Sequence, residues 1–532
     1  MRAALGVVLA VTLMTMFAAA GVARGERHSS APAKRGPAVA NGVSARAAHG
    51  PPPAKRGPAH AKRRSTPLRD RPVSVSVSAS AQAASEPVPP VPQDFLGLSF
   101  EVGSLAQIAS YADAGDLVTM LRSLGAGVLR FGGVTADEQI AWTDATTPRP
   151  AWALGVLEAG SLGQLGSLAA ASGWHVLLTL GLGHYEPEVA AQEAAAAKAA
   201  LGPSLEAFEL GNEPDSYAKH GLRALPWTPS QYDEQVNAYR NAIEAVAPGI
   251  PLAGPDTSGS SAYEQWGLSE AIYERPALLT GHHYPLGCNE QPAPSIARLL
   301  SPQIRELEVA SLRRYTFIAH ETEVPFRLDE ANTVSCGGVP GISNTFASAL
   351  WAVSFMTEAM EMGVSGINLE GNPANCGGYT PVCAPSAEDL AGGALVAQPE
   401  WYALLFARAL LGERPLHTVI GPEERPNVEA SAFAAADGTL QFALVDDDPP
   451  GARSVAAHLH VGSGFHGGTI LSLTAPSPES VSGVELGGEP VAANGSWTEP
   501  AVLPHAPNSD GVITVVLKPS SAALVTVAPL GR

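Results

Sequence analysis

The chain has 532 residues, 45% of them hydrophobic and 16% charged, which excludes a wholly disordered protein. The length accommodates a domain of roughly 300 residues and a second of about 120. The formal net charge of −19 is unevenly placed: Arg24–Pro72 carries 12 basic against 2 acidic residues, Val73–Arg532 carries 19 against 49, and so acidic a body argues against nucleic-acid binding by the folded part.

Met1-Arg2, the apolar run Ala3–Ala20 and the small residues Gly21-Val22-Ala23 read as a secretory signal over residues 1–23. An uncleaved anchor is the alternative, because the run approaches the minimum for spanning a bilayer. Residues 24–91 are rich in Ala, Pro, Ser, Lys and Arg, and Lys34-Arg35-Gly36-Pro37-Ala38 recurs as Lys55-Arg56-Gly57-Pro58-Ala59. Such a segment cannot bury enough apolar area to offset its chain entropy. It is expected to be a disordered linker that could contact anionic wall polymer, although a strand near Val73–Val77 or Val88–Val91 could join the C-terminal domain.

Over residues 92–410 short apolar runs alternate with helical stretches. The runs are Phe95–Phe100, Gly127–Phe131, His175–Leu182, Leu205–Leu210, Ile250–Gly254, Leu278–His283, Pro325–Leu328 and Val364–Leu369. Helices are predicted over Asp116–Leu124, Gln231–Val246, Gln303–Val324 and Asn344–Met362. Eight buried strands with helical crossovers predict an α/β fold, a (β/α)8 TIM barrel, provided that Thr316–Val324 is helix rather than strand. Over 411–532 the runs Gln441–Val445, Val455–Val461, Thr469–Leu473, Val512–Leu517 and Ala522–Val527 alternate in polarity between Gly, Pro, Asn and Asp, the pattern of a C-terminal antiparallel β-sandwich. The four cysteines, Cys288, Cys336, Cys376 and Cys383, fit two disulfides in an exported chain and contain no CxxC.

Reactive groups in such a barrel sit where strands end. The strand ends are Glu101, Arg130-Phe131-Gly132-Gly133, Gly211-Asn212-Glu213-Pro214-Asp215, His282-His283-Tyr284-Pro285, Asp329-Glu330-Ala331-Asn332 and Glu370-Gly371-Asn372. Cleavage of a glycosidic bond needs two facing carboxyl groups, one protonated and one ionised. Glu213 and Glu330, after strands four and seven, are the best placed. Glu321 and Glu323 compete with Glu330, but a solvated helix face suits them better. Adjacent His282 and His283 suggest a metal only weakly, because a strand points neighbouring side chains to opposite faces. Trp142, Trp266 and Trp351 are either core or sugar-stacking platforms, with core the default for Trp351.

At these residues the chain resembles glycoside hydrolase family 79, the β-glucuronidase and heparanase-like enzymes, over about residues 92–530. Phe208–Asp215 is similar to the acid/base motif, and Arg327–Asn332 with Cys336-Gly337-Gly338, Ser343–Ala347 and Leu350-Trp351 to the nucleophile region. The resemblance extends to Arg130–Gly133, His283-Tyr284, the loop from Gly371-Asn372 to Gly378–Pro381, and Val484–Gly488 through Trp497 in the sandwich. It implies Glu213 as acid/base, Glu330 as nucleophile, Asn212 on the sugar 2-hydroxyl and Tyr284 supporting the nucleophile. Glu101, Gly337, Gly338 and Tyr379 would be further substrate contacts. Glucuronate-specific members carry a tyrosine before the glycines, and here that place is Ser335, followed by Cys336. The resemblance also raises a disulfide from Cys336 to Cys376 or Cys383, against a local Cys376–Cys383 pairing.

The expectation is therefore an exported, retaining exo-β-glycosidase, a β-glucuronidase that takes a carbohydrate substrate and uses no metal or organic cofactor. A glycosidase for a neutral sugar such as β-glucose, and a non-catalytic polysaccharide-binding barrel, are the alternatives.

Overall fold

The computed structural model describes residues 71–81, 88–422 and 426–531. The expected signal and the basic repeats of the linker lie outside the described residues. Eight parallel strands close into a barrel: Leu96–Glu101, Val128–Gly132, His175–Leu180, Leu205–Leu210, Leu252–Thr257, Leu278–His283, Phe326–Ala331 and Gly366–Glu370, hereafter the first to eighth barrel strands. The eighth pairs with the first, Ile367 with Leu96 through Glu370 with Ser99, and leaves no edge. Helices cover the outside and side chains fill the inside, so the strands read as near-continuous apolar runs rather than alternating ones.

The stretch Thr316–Val324 belongs to a helix, Pro302–Thr322. Ser301 caps its first turn by accepting a hydrogen bond from the Ile304 amide, and Pro302 supplies a preset first position. Leu312, Tyr315 and Ile318 give the buried face. Glu323 then stops the helix in the left-handed conformation (φ 57°), and the seventh barrel strand starts three residues later. Glu321 and Glu323 are exposed at that corner.

The sandwich combines two sheets. In one, strands His417–Gly421, Val73–Ser80, Val455–His460, Val512–Leu517 and Asn508–Ser509 lie side by side. The other is built on Val428–Ala434, Leu440–Asp446, Ser521–Pro529 and Phe465–Thr474. The linker expected over 24–91 therefore extends too far. Val73–Ser80 alternates Val and Ser, buries Val75 and Val77 against Leu459 and Ile513, and pairs with strands on both sides. This is the first of the two strand positions that the sequence offered, and its period of two makes one buried face from a few apolar residues.

The second sheet turns its other face to the barrel. Phe433, Leu473 and Leu524 join Trp401, Leu404 and Leu405 in one hydrophobic core. Arg305, on the Pro302–Thr322 helix, adds ion pairs to Glu429 and Asp447 of the sandwich at 2.5 and 2.6 Å. Trp142, Trp266 and Trp351 are all buried, so none is an open sugar platform.

Glu193 sits inside the helix Pro187–Leu201, and burial alone pushes its carboxyl up to about 8. It is neutral in the folded chain but ionises near pH 4.5 once unfolded. Its contribution to stability therefore falls as pH rises from about 4.5 to about 8. Glu193→Gln is expected to match the wild-type Tm at pH 4 and to exceed it at pH 8, by about 2–4 kcal/mol of unfolding free energy. Equal Tm values at both pH values would contradict this.

Candidate active site

The carboxyl ends of the barrel strands open on a cleft of about 860 Å³, a size suited to a small glycoside. Its floor is organised around one fully buried cation. Arg130 leaves the second strand and points inward, with Gly132 two residues on. A Cβ at Gly132 would lie 2.4 Å from the guanidinium carbon, and one at Gly133 would lie 2.3 Å from the Glu101 carboxyl carbon. The Arg-Phe-Gly-Gly sequence thus makes room for two side chains at once.

Arg130 donates from Nε to Glu209 at 3.1 Å. Its Nη1 donates to Ser99 at 3.2 Å and to Glu330 at 2.6 Å, and its Nη2 to Asn212 at 2.9 Å and Asp256 at 2.8 Å. Asp329 lies 3.4 Å from Nε. Acceptors therefore come from the first, fourth, fifth and seventh strands of the barrel or their ends. His282 continues the network, with Nε2 2.6 Å from Asp256 and Nδ1 3.1 Å from Glu213.

Two backbone irregularities aim the acids. The register of the seventh strand shifts between Leu328 and Glu330, a bulge that turns consecutive Asp329 and Glu330 both inward. Glu213 occupies the left-handed region (φ 48°) and is fixed there by its amide, which donates to the Asp256 carbonyl at 2.9 Å. Such strain persists where surrounding contacts over-determine it. Asp137 is one of those contacts: its buried carboxylate accepts from the Leu182, Gly183 and Asn212 amides and the Tyr217 hydroxyl.

Of the charged groups in the Arg130–His282 network, Glu213 and Glu330 are the more exposed. The Glu213 and Glu330 side chains are 22% and 12% exposed, while Arg130, Glu209, Asp256, Asp329 and His282 are at 0–1%. Oxygens of Glu213 and Glu330 and a nitrogen of His282 all lie within 4.8 Å of one another. Burial opposes ionisation of Glu330, but His282, Arg130 and the Tyr284 hydroxyl together hold its carboxyl below the usual range. Burial and Asp329 push Glu209 up to about 8, and burial and Asp256 push Asp329 up to about 7. Burial likewise works against a charge on His282, yet Asp256 and Glu330 raise it well above an ordinary imidazole.

Glu213–His282–Glu330 and Asp256–His282–Asp329 have the spacing of a metal site, as do Asp94, His175 and Glu206. In the first two, a protonated His282 donates from both nitrogens and has no lone pair to offer a metal. His283, the neighbouring residue, turns away to Glu308 and stacks on Phe355.

The expected substrate contacts Glu101, Asn212, Tyr284, Gly337 and Tyr379 line this cleft with Glu213 and Glu330. Tyr284 donates to Glu330 at 2.8 Å, and its hydroxyl is 3.2 Å from that of Tyr379. The Gly337 amide donates to Tyr379 at 3.2 Å. Gly338 packs against the backbone of Tyr379, where a Cβ would lie 2.4 Å from the Tyr379 nitrogen, and is not among the residues lining the cleft. Cys376 pairs locally with Cys383, and Cys336 pairs with Cys288, not with either of them. That bond ties the loop after the sixth strand to the loop after the seventh. Ser335 accepts from the Cys288 amide at 3.2 Å.

Arg130, Asp256, His282, Asp137 and Glu370 were not assigned roles from the sequence. A lone arginine inside an apolar strand is the signal that could have found the first, because a buried charge must be paired.

No protein-family model matches the chain. It is similar to a β-glucuronidase of Aspergillus niger, 29% identical over 180 residues, covering 30% of this chain and 33% of that one. A β-glucuronidase of Neurospora crassa is 26% identical over 194 residues, covering 33% and 35%. The chain thus spans about a third of the length of these curated relatives. In structure it is similar to a 4-O-α-L-rhamnosyl-β-D-glucuronidase from Fusarium oxysporum, with TM-score 0.65 and 20% identity over 85% of this chain and 100% of that one. A GH51 arabinofuranosidase from Xanthomonas axonopodis pv. citri gives TM-score 0.62 and 16% identity over 86% and 100%. At these identities the likeness establishes the fold, a (β/α)8 barrel with a β-sandwich.

Removing the central cation would strand several buried carboxylates. Arg130→Gln is expected to lower the unfolding free energy by about 3–5 kcal/mol in urea denaturation. An unchanged value would contradict the ion network described here.

Proposed function

We propose that the protein is an exported glycoside hydrolase, a retaining exo-β-glycosidase whose preferred substrates are β-glucuronides. The observation that carries this reading is the approach of Glu213 and Glu330, whose nearest oxygens lie within 4.8 Å across an open cleft. Inverting enzymes keep their carboxyl groups about 6.5–9.5 Å apart to admit a water, whereas retaining pairs sit at about 5–5.5 Å.

In this mechanism Glu330 attacks the anomeric carbon while Glu213 protonates the departing oxygen. Glu213 then takes a proton from water, which displaces the sugar from Glu330. The surroundings suit those roles. Glu330 is kept anionic by Arg130, His282 and Tyr284. Asn212 spends its carbonyl on Arg130, which leaves its amide group to donate to a sugar hydroxyl. The chemistry calls on no metal or organic cofactor. Both β-glucuronidase matches support a glucuronide substrate. Two disulfides suit an oxidising compartment. Among the described residues no helix is long and apolar enough to cross a membrane. The basic linker would contact anionic wall polymer in that setting.

A neutral glycone such as β-glucose is the second reading. The Gly337 amide donates to Tyr379, so one donor available to a sugar carboxylate is already bonded within the protein, and Ser335 stands where glucuronate-specific members carry a tyrosine.

The test is to assay aryl β-glucuronide and aryl β-glucoside side by side. Glu330→Gln is expected to reduce kcat at least about 10³-fold on the preferred sugar. Glu213→Gln should lower kcat/KM for alkyl leaving groups by about 10²–10⁴-fold and spare kcat/KM for a dinitrophenyl leaving group, which needs no proton, while kcat on the dinitrophenyl glycoside falls because the second step has lost its base. Turnover unaffected by Glu330→Gln would remove the assignment.

A further inference from the structure

Among the described residues lining the cleft, one buried side-chain oxygen has no hydrogen-bond partner, Oε2 of Glu370. The other glutamates of the cleft are engaged. Thr135 donates twice to Glu101, at 2.9 and 2.5 Å. Glu213 meets His282, Glu330 takes Arg130 and Tyr284, and Glu308 takes Trp351 at 2.7 Å. Glu370 ends the eighth strand and is only 6% exposed. It shares the inward face of that strand with Asn368, which binds Arg327 and two backbone carbonyls deeper in the barrel. A buried polar atom left unpaired costs about 1–3 kcal/mol, so one just beneath a cleft wall, on a residue that lines the cleft, suits a ligand that fills that wall.

We propose that Glu370 is a specificity-determining residue of the sugar site, its free oxygen completing a hydrogen bond with the ring substituents of the bound glycone. This rests on the glycosidase reading above and adds a recognition residue to it. The groups facing Glu370 are Ser99 and Glu101 from the first strand, Arg130 from the second, Glu330 from the seventh, and the phenols of Tyr284 and Tyr379. Burial, then Glu330 and Glu101, drive its carboxyl well above the ordinary range, against the pull of Ser99 and Arg130. Below that shifted pKa Glu370 carries a proton and donates as well as accepts. An uncharged acid tolerates a uronate carboxylate beside it, and a charged one repels it. Raising the pH through this ionisation therefore weakens binding of a glucuronide more than binding of a glucoside.

The experiment compares wild type, Glu370→Gln and Glu370→Leu on aryl β-glucuronide and aryl β-glucoside, with Tm measured for each variant. Glu370→Leu is expected to raise KM for the preferred glycoside at least tenfold while kcat changes less than threefold. Glu370→Gln, which keeps a donor and an acceptor, should restore KM to within about threefold of wild type. The glucuronide KM should climb as pH is raised through this ionisation in wild type and stay level in the Gln variant. A folded Leu variant with KM within twofold of wild type would overturn the proposal, and a rise with pH shared by the Gln variant would overturn its acid form. Failure of the glucuronide reading looks different: wild type then turns over the glucoside alone, and the same KM comparison on that substrate decides Glu370. If wild type turns over neither, titration of wild type and the Leu variant with D-glucuronate and D-glucose decides it, equal affinities overturning the contact.

Discussion

The guanidinium of Arg130, sealed from solvent, holds together a barrel mouth that would otherwise repel itself. Glu209, Asp256, Asp329 and Glu330 converge on it from the fourth, fifth and seventh strands. Without a shared cation, four carboxyl groups this close could not be buried together. The protein balances them in two ways. Glu209 and Asp329 are pushed toward their neutral forms, and His282 is pushed toward its charged form. What remains is a negative charge directed at the cleft on Glu330, with Glu213 across from it. The identity of the proposed nucleophile follows from this arrangement, because the same carboxyl without Arg130 and His282 would share the upward shift of its buried neighbours.

The rim is fixed by different means. The Cys288–Cys336 bond ties the loops that follow the sixth and seventh strands, and the close packing of Gly338 on Tyr379 sets the loop after the eighth against them. Tyr284 and Tyr379 stack in the resulting angle, with ring centroids 5.7 Å apart, and point their hydroxyls at each other and at Glu330. The proposed sugar site thus draws on strands one, four, six, seven and eight, each contributing one or two side chains.

Much of this was legible in the sequence for a physical reason. Parallel strands buried on both faces must be apolar throughout, so all eight stood out as runs. Reactive groups at strand ends could then be read by position, which is how Glu213 and Glu330 were found. The bulge at Asp329 was not legible, since strand alternation sends that residue and Glu330 to opposite faces. His282 was weighed only as a metal ligand, because its partner Asp256 lies at an irregular end of the fifth strand that reads as ordinary loop. Val73–Ser80 was offered as a strand by its alternation, but the composition of its neighbours carried the linker boundary past it. The partner of Cys336 depends on where two loops meet, 48 residues apart in the case of Cys288, and pattern says nothing about that. Glu370 was visible at its strand end, but an unpaired oxygen is a property of packing alone.

In the proposed mechanism Glu330 attacks the sugar directly, with no water between them. The most direct measurement is the anomeric configuration of the first-formed sugar, followed by proton NMR during rapid hydrolysis of the preferred aryl β-glycoside. Direct attack by Glu330 predicts that the β-anomer appears first and mutarotates afterwards. Initial release of the α-anomer would show a single displacement by water and would contradict the arrangement of the two glutamates.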